Sequence, residues 1–355
     1  MANEIYPVSW WGSPVENGWG GSYYDFAQGG GLDGTSFITT WRTTSSNETI
    51  TIPTSGGGYN YDISTSDGQT FTSITGSQAI TFATAGNYDV SISGDFPAFF
   101  ISNGIDKDKL IDIKQWGNIV WSSFKSAFFG CSNLVGSFTD APNLANVTNF
   151  ESAFRDCSSF SANLSTWDVS NITTISNTFK NCSSFSANLS TWDVSNVTSF
   201  NSTFIIFGAT APSTPVSGLD SWDMSSATNI NGMLRNQVNY NEDLSSWNVS
   251  NVTNMSNTFF GSTSFDQNLS SWDIANVTNL ANFAKNTTFS TSNYDAILIG
   301  WEATLQSAFP NGTGYTPSIS INFGSSEYNG GAAAETARTS LINNFNWTIT
   351  DGGIA

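Results

Sequence analysis

At 355 residues the chain can bury a large core and hold two or three structural units. Ten Lys and Arg face 28 Asp and Glu, a net charge of −18, which argues against nucleic acid and anionic membrane surfaces as partners. The chain has no histidine, which removes Ser-His-Asp and Cys-His catalysis and the usual general base. No run approaches the roughly 18 apolar residues of a membrane helix, so no membrane insertion is expected.

Residues 1–35 hold Tyr6, Trp10, Trp11, Trp19, Tyr23, Tyr24 and Phe26 among glycines. So many rings in a glycine-rich segment cannot form an independent core, whereas Trp and Tyr are strong interface anchors. The segment is read as an attachment element, and the competing reading is that the rings fold back on the following domain. Met1–Tyr24 has neither a basic start nor an apolar centre and is not read as a signal peptide.

Residues 36–104 change texture. Thr49–Ile52, Tyr59–Ile63, Gln69–Ile74, Ala79–Phe82 and Asn87–Ser93 are short alternating runs separated by glycine turns, which predicts a small all-β sandwich. Asp62 and Asp67 are candidate calcium ligands, but two carboxylates fall short of a calcium cage, and turn chemistry is preferred.

Residues 105–289 carry a period. Trp167, Trp192, Trp222, Trp247 and Trp272, each followed by Asp or Asn, recur every 25 residues, with one interval of 30. Trp116 fits the frame earlier, and Pro142 stands in one tryptophan slot. With each tryptophan as position 0, apolar residues recur at −3, +5, +8 and +12. Stacked units would turn these into buried columns, and about seven coils are expected. The β-branched stretch after each tryptophan suits a short strand, and the following stretch, such as Asn254–Gly261, has apolar residues at helical spacing. The expected fold class is therefore a repeat solenoid of leucine-rich-repeat type, with a short strand and a short helix in each coil.

Asn171, Asn196, Asn251 and Asn276 share one slot and are expected as a buried ladder satisfying backbone groups. Thr148, Thr173, Thr198, Thr228, Thr253 and Thr278 share another, whose alternative reading is a water-ordering face. Cys131, Cys157 and Cys182 occupy a third and read as small buried side chains, with a disulfide between neighbouring coils also possible. No metal site is expected, since there is no Cys-x-x-Cys and no histidine. The long interval contains Ile205–Pro215, read as a loop bulging from one coil and a candidate recognition element. Residues 290–355 read as a terminal α/β cap, with helices over Asn293–Phe309 and Ala332–Phe345 and strands over Ser318–Phe323 and Trp347–Thr350.

The tandem wording, clearest in Leu244–Phe265, resembles the BspA-type leucine-rich-repeat surface proteins. Asp106–Leu134, with Gln115-Trp116-Gly117, resembles that family's lead-in. Asn293–Gly353 resembles its closing region, and residues 36–104 resemble its PKD-like module, with a partly kept turn at Thr65-Ser66-Asp67-Gly68. The resemblance covers about 320 residues. It implies a right-handed solenoid and surface attachment, and it brings no catalytic residues.

The function expected from these features is non-enzymatic. The chain is read as a virion surface protein (fibre, spike or decoration protein) that adheres to a host surface protein or glycan. Its segment 1–35 would dock on a capsid or tail protein, and homo-oligomerisation would be compatible. The alternative is a bacterial cell-surface or secreted adhesin of BspA type, and a glycosidase stands third. The aligned carboxylates Asp168, Asp193, Asp223 and Asp273 are repeat-equivalent, whereas an active site needs one constellation. No cofactor is expected.

Overall fold

The computed structural model describes residues 32–208 and 211–355. The rings at Tyr6, Trp10, Trp11, Trp19, Tyr23, Tyr24 and Phe26 lie outside the described residues.

The first region is built from β1 (Phe37–Thr43), β2 (Glu48–Ile52), β3 (Asn60–Thr65), β4 (Thr70–Ile74), β5 (Gln78–Phe82), β6 (Gly86–Asp95) and β7 (Leu110–Gln115). Five strands form an antiparallel sheet in the order β4-β3-β6-β1-β7, and β2 pairs with β5 in a second antiparallel sheet. Ile50, Ile52, Ile80 and Phe82 of the small sheet are buried with Trp41, Ile63, Val90 and Ile92 of the large one. Sequence reading missed β1 and β7. β1 is buried at six of seven positions because β6 and β7 flank it, so it shows no alternation. Its buried polar groups are satisfied locally: Trp41 Nε1 donates to Thr39 Oγ1 at 2.9 Å and Thr40 Oγ1 to Asp89 at 2.7 Å. β7 lies in the stretch assigned to the repeats, yet it is the edge strand of this sheet.

The expected helix-plus-strand solenoid is corrected. The regular sheets are mostly antiparallel, the protein is β-rich, and its two α-helices both follow residue 290. Between 116 and 289 the described residues contain no α-helix and no extended strand, only a 3-10 turn at Leu219–Ser221 and single parallel bridges.

The periodic stretch is instead a series of tight turns. In the Trp167 unit, the N–H groups of Trp167, Ile172, Thr178, Cys182 and Phe185 donate to the carbonyls of Leu164, Val169, Ile175, Phe179 and Cys182, each three residues back. Residues at both ends of each turn point inward. The third residue of two of these turns has positive φ, at Asn177 (57°) and Asn181 (59°). The same places are held by Ser152 and Asp156, Gly232 and Asn236, and Asn257 and Gly261, all with positive φ. This is why no helix forms. The four-residue apolar spacing imitates one, but Asn, Gly, Ser and Asp adopt left-handed backbone inside each turn and end it.

Backbone groups left over by the turns bond to the next unit. Phe179, Asn181 and Asn177 N–H donate to Thr203, Ile205 and Asn201 O, and the pattern recurs from Phe150 to Gly261. One parallel bridge per unit joins Asn149, Thr174, Ser199, Asn229, Asn254 and Asn279 in succession.

Both ends of the stack are covered. Residues 97–103 receive the first unit, with Ile101 N donating to Ala127 O and Phe37 packing on Trp116 and Trp121 at 5.4 and 5.1 Å. At the far end come α1 (Thr291–Ala308), β8 (Ser320–Asn322), β9 (Glu327–Tyr328), α2 (Ala333–Phe345), β10 (Thr348–Thr350) and β11 (Gly353–Ile354). β8 pairs with β10 and β9 with β11, both in parallel. Trp301 of α1 supplies the next tryptophan rung, donating to Leu269 O at 2.9 Å. Gly300 permits that approach, since a Cβ there would sit 2.4 Å from Ser270 O.

Candidate functional site

Each repeated side chain can be placed. Trp192, Trp222, Trp247 and Trp272 are buried, and each indole N–H donates to the carbonyl of a leucine in the preceding unit at 2.8–3.0 Å. Trp167 and Trp116 are equally buried, but their Nε1 atoms have no partner. Pro142 between them provides no ring, and the Trp116 and Trp167 indoles meet edge to face at 5.3 Å, with Phe138 packed against both at 5.5 and 5.9 Å.

The residue after each tryptophan closes a turn. Asp168, Asp193, Asp223, Asn248 and Asp273 each accept the N–H two residues on, at 2.9–3.2 Å. Hydrogen bonds from Ser195 hold the Asp193 carboxyl below its usual range. These acids are engaged in turns, one per unit.

The asparagine ladder is exposed, not buried, and this corrects the expectation. Asn171, Asn196, Asn251 and Asn276 reach sideways, each donating to a carbonyl 26 residues back at 2.7–3.3 Å. The exposed threonines do likewise: Thr173, Thr198, Thr228, Thr253 and Thr278 each donate Oγ1 to the preceding threonine's carbonyl at 3.0–3.2 Å. Asp67 serves the β3–β4 turn, accepting Gln69 Nε2 at 2.9 Å, whereas Asp62 crosses to β4 at the β3–β4 register shift and accepts Ser73 N at 2.8 Å.

The cysteine slot is a hydrogen-bond position. Cys157 and Cys182 thiols donate to Phe128 O and Phe154 O at 3.0 and 2.9 Å. In later units Gln237, Ser262 and Thr287 donate from the same slot to Phe204, Leu234 and Phe259 O. The three cysteines are free thiols, and burial pushes all three well above their ordinary pKa.

One surface column departs from this structural pattern. Thirteen residues after each tryptophan slot stand Phe129, Arg155, Lys180, Ile205, Arg235, Phe260 and Lys285. Four of the chain's ten cations therefore share one line. The insertion supplies a further ring. Ile205 and Ile206 belong to the buried stack, and the chain leaves it at Phe207, which is 41% exposed. Asn181 Oδ1 fixes that departure by accepting Phe207 N at 2.8 Å.

Cations and rings alternate along the column. Arg155 lies over Phe129 at 4.6 Å. Lys180 and Arg235 lie over Phe207 at 5.2 and 4.8 Å, and Arg235 and Lys285 over Phe260 at 4.3 and 5.9 Å. Arg155 Nε is 3.4 Å from Asp156 but donates no hydrogen bond. Lys180, Arg235 and Lys285 form no ion pair with a described residue. Arg235 Nε is shielded and lacks an acceptor. Partial burial, together with repulsion from Arg155 and Arg235, lowers the Lys180 pKa. Such a row is short of negative charge. Periodicity in tryptophan does not reveal it; the signal is the cation at position +13 in four of the seven units, Arg155, Lys180, Arg235 and Lys285.

Among the described residues no three His, Cys, Asp or Glu gather as a metal site, and no helix is long and apolar enough to cross a membrane. Comparisons with curated proteins and with solved structures gave no match. A family model matches residues 122–211 and 206–311, spanning most of the turn stack and all of α1. That match is consistent with the resemblance to BspA-type surface proteins read from the tandem wording. It covers more than half of the chain, which therefore belongs to the family described as "Mycoplasma protein of unknown function, DUF285".

Proposed function

We propose that the protein is a non-enzymatic surface adhesin that binds its target along the cation–aromatic column. The observation that carries this reading is the gathering of four of ten cations, interleaved with Phe129, Phe207 and Phe260, on one line of a chain of net charge −18. Three of those cations lack an acidic partner among the described residues, so their charge is available to a ligand. The rigid turn stack holds them at fixed intervals, which lowers the ordering penalty of binding. The repeated carboxylates are spent on turns, which supports a binding role over glycoside hydrolysis.

Carriage on a virion through residues 1–35 is the finer form of this proposal, supported by the seven rings there; anchoring on a bacterial surface is its alternative. Labelled protein is expected to be retained on target cells. Phe207→Ala with Arg235→Ala should reduce retention at least fivefold, and Trp10→Ala with Trp11→Ala should leave it unchanged while abolishing co-sedimentation with particles. Undiminished retention of the column variant would overturn the reading of the column.

A further inference from the structure

Resting on the column as the binding surface, we infer that its ligand is an acidic polysaccharide carrying one anionic group on every second sugar. The argument is one of spacing. Neighbouring units are joined by parallel bridges, so equivalent residues advance by about 4.8 Å per unit. Lys180 and Arg235 are two units apart, and so are Arg235 and Lys285, with Ile205 and Phe260 holding the slot between. The unpaired cations thus recur at about 10 Å, twice the strand spacing.

An extended pyranose is about as long as one unit of the stack. A chain of alternating acidic and neutral sugars would therefore bring each acid opposite a cation. Other linear polyanions do not keep that register. Each strand of a DNA duplex presents a phosphate roughly every 3.4 Å along the helix axis. An extended acidic peptide presents same-face carboxylates about every 6.6 Å, two residues apart. Both would also bring more negative charge towards a chain already at −18.

The rings give the row its rigidity. Phe207 and Phe260 each have cations over their faces, at 4.8 and 5.2 Å and at 4.3 and 5.9 Å. The cations are thereby held apart along the axis, and the exposed rim of Phe207 is left for the neutral sugar.

The test uses the full chain and hyaluronan octasaccharide, which alternates glucuronate with N-acetylglucosamine. Controls are its carboxyl-reduced form, poly-glutamate and single-stranded DNA. Octasaccharide binding is expected to weaken with salt, and to weaken at least tenfold in Arg235→Gln with Lys285→Gln. Lys125→Gln, off the column and paired with Glu151 at 2.8 Å, should bind like the parent. Thermal unfolding should match between parent and variants, separating lost contact from lost fold. Absent octasaccharide binding, binding insensitive to the column variants, or equal or tighter binding of poly-glutamate or DNA would overturn the inference. Cell retention that the octasaccharide does not compete would sink the inference and leave the adhesin reading standing. Octasaccharide binding without cell retention would do the reverse.

Discussion

The sheet region before residue 116 and the turn stack after it both bury large aromatic cores, but they satisfy their backbones differently. In the sheets, the hydrogen bonds follow antiparallel ladders, and side chains mostly add packing. In the stack, isolated parallel bridges are the β-structure of the described residues, and side-chain donors complete the work. Indole N–H groups, buried threonine hydroxyls and the cysteine-slot donors all reach carbonyls of the preceding unit. The lesson is that polar substitutions will be tolerated on the sheets at places whose equivalents in the stack are structural.

The largest test of that difference is Trp247→Ala. It empties a buried site, breaks the 6.0 Å stack on Trp272 and removes the 2.8 Å bond to Leu219 O. Denaturant unfolding should show a loss of about 3–5 kcal/mol. A loss near 1 kcal/mol would mean that the tryptophan rungs are dispensable.

A sharper comparison replaces threonine by valine in each region. Thr258 is fully buried and its hydroxyl lies 2.7 Å from Met255 O and 3.2 Å from Ile230 O. Thr258→Val should destabilise by about 1 kcal/mol by removing the hydroxyl's bonds to two buried carbonyls, which keep the N–H groups of Met233 and Thr258 as donors. Thr49 pairs with Thr81 at 2.8 Å on the exposed face of the β2–β5 sheet, and Thr49→Val should stay within about 0.5 kcal/mol. Equal effects would erase the distinction between the regions.

The smallest effect is expected from acid. The N–H groups of Thr44 and Ser45, with Lys109, hold Glu48 down to about 2 from an ordinary 4.5. A depressed folded-state value means that its contribution is complete above about 4.5 and fades as pH falls towards 2. The melting temperature of the parent should therefore fall slightly more steeply over that window than that of Glu48→Gln. Parallel profiles would show that Glu48 does not tie β2 to the neighbouring loop.

Much of this was legible in the chain. The 25-residue period located the buried columns, because every unit must turn the same side chains inward. The alternating runs located β2 to β6, and apolar spacing located α1 and α2. β1 escaped because its burial on both faces leaves no alternation. The helix expected in each unit was misread because Phe and Met four residues apart fit a helix and a pair of tight turns equally well. The deciding residues were the Asn, Gly, Ser and Asp between them, such as Asn177 and Asn181. The column was legible only in part: Ile205–Pro215 interrupts the period visibly, whereas Arg155, Lys180, Arg235 and Lys285 are far apart in sequence and align only once the units are in register.

By itself the sequence determined which residues repeat, which are buried, and that the chain is too acidic to bind polyanions over its whole surface. Tertiary structure decided what the repeats become. Left-handed backbone at two places in most units, and at Ser202 alone in the Trp192 unit, turned an apparent helix into turns whose free N–H groups could pair only with the next unit. It also decided the column, because lining up Lys180, Phe207, Arg235, Phe260 and Lys285 depends on the register between units more than on any one of them.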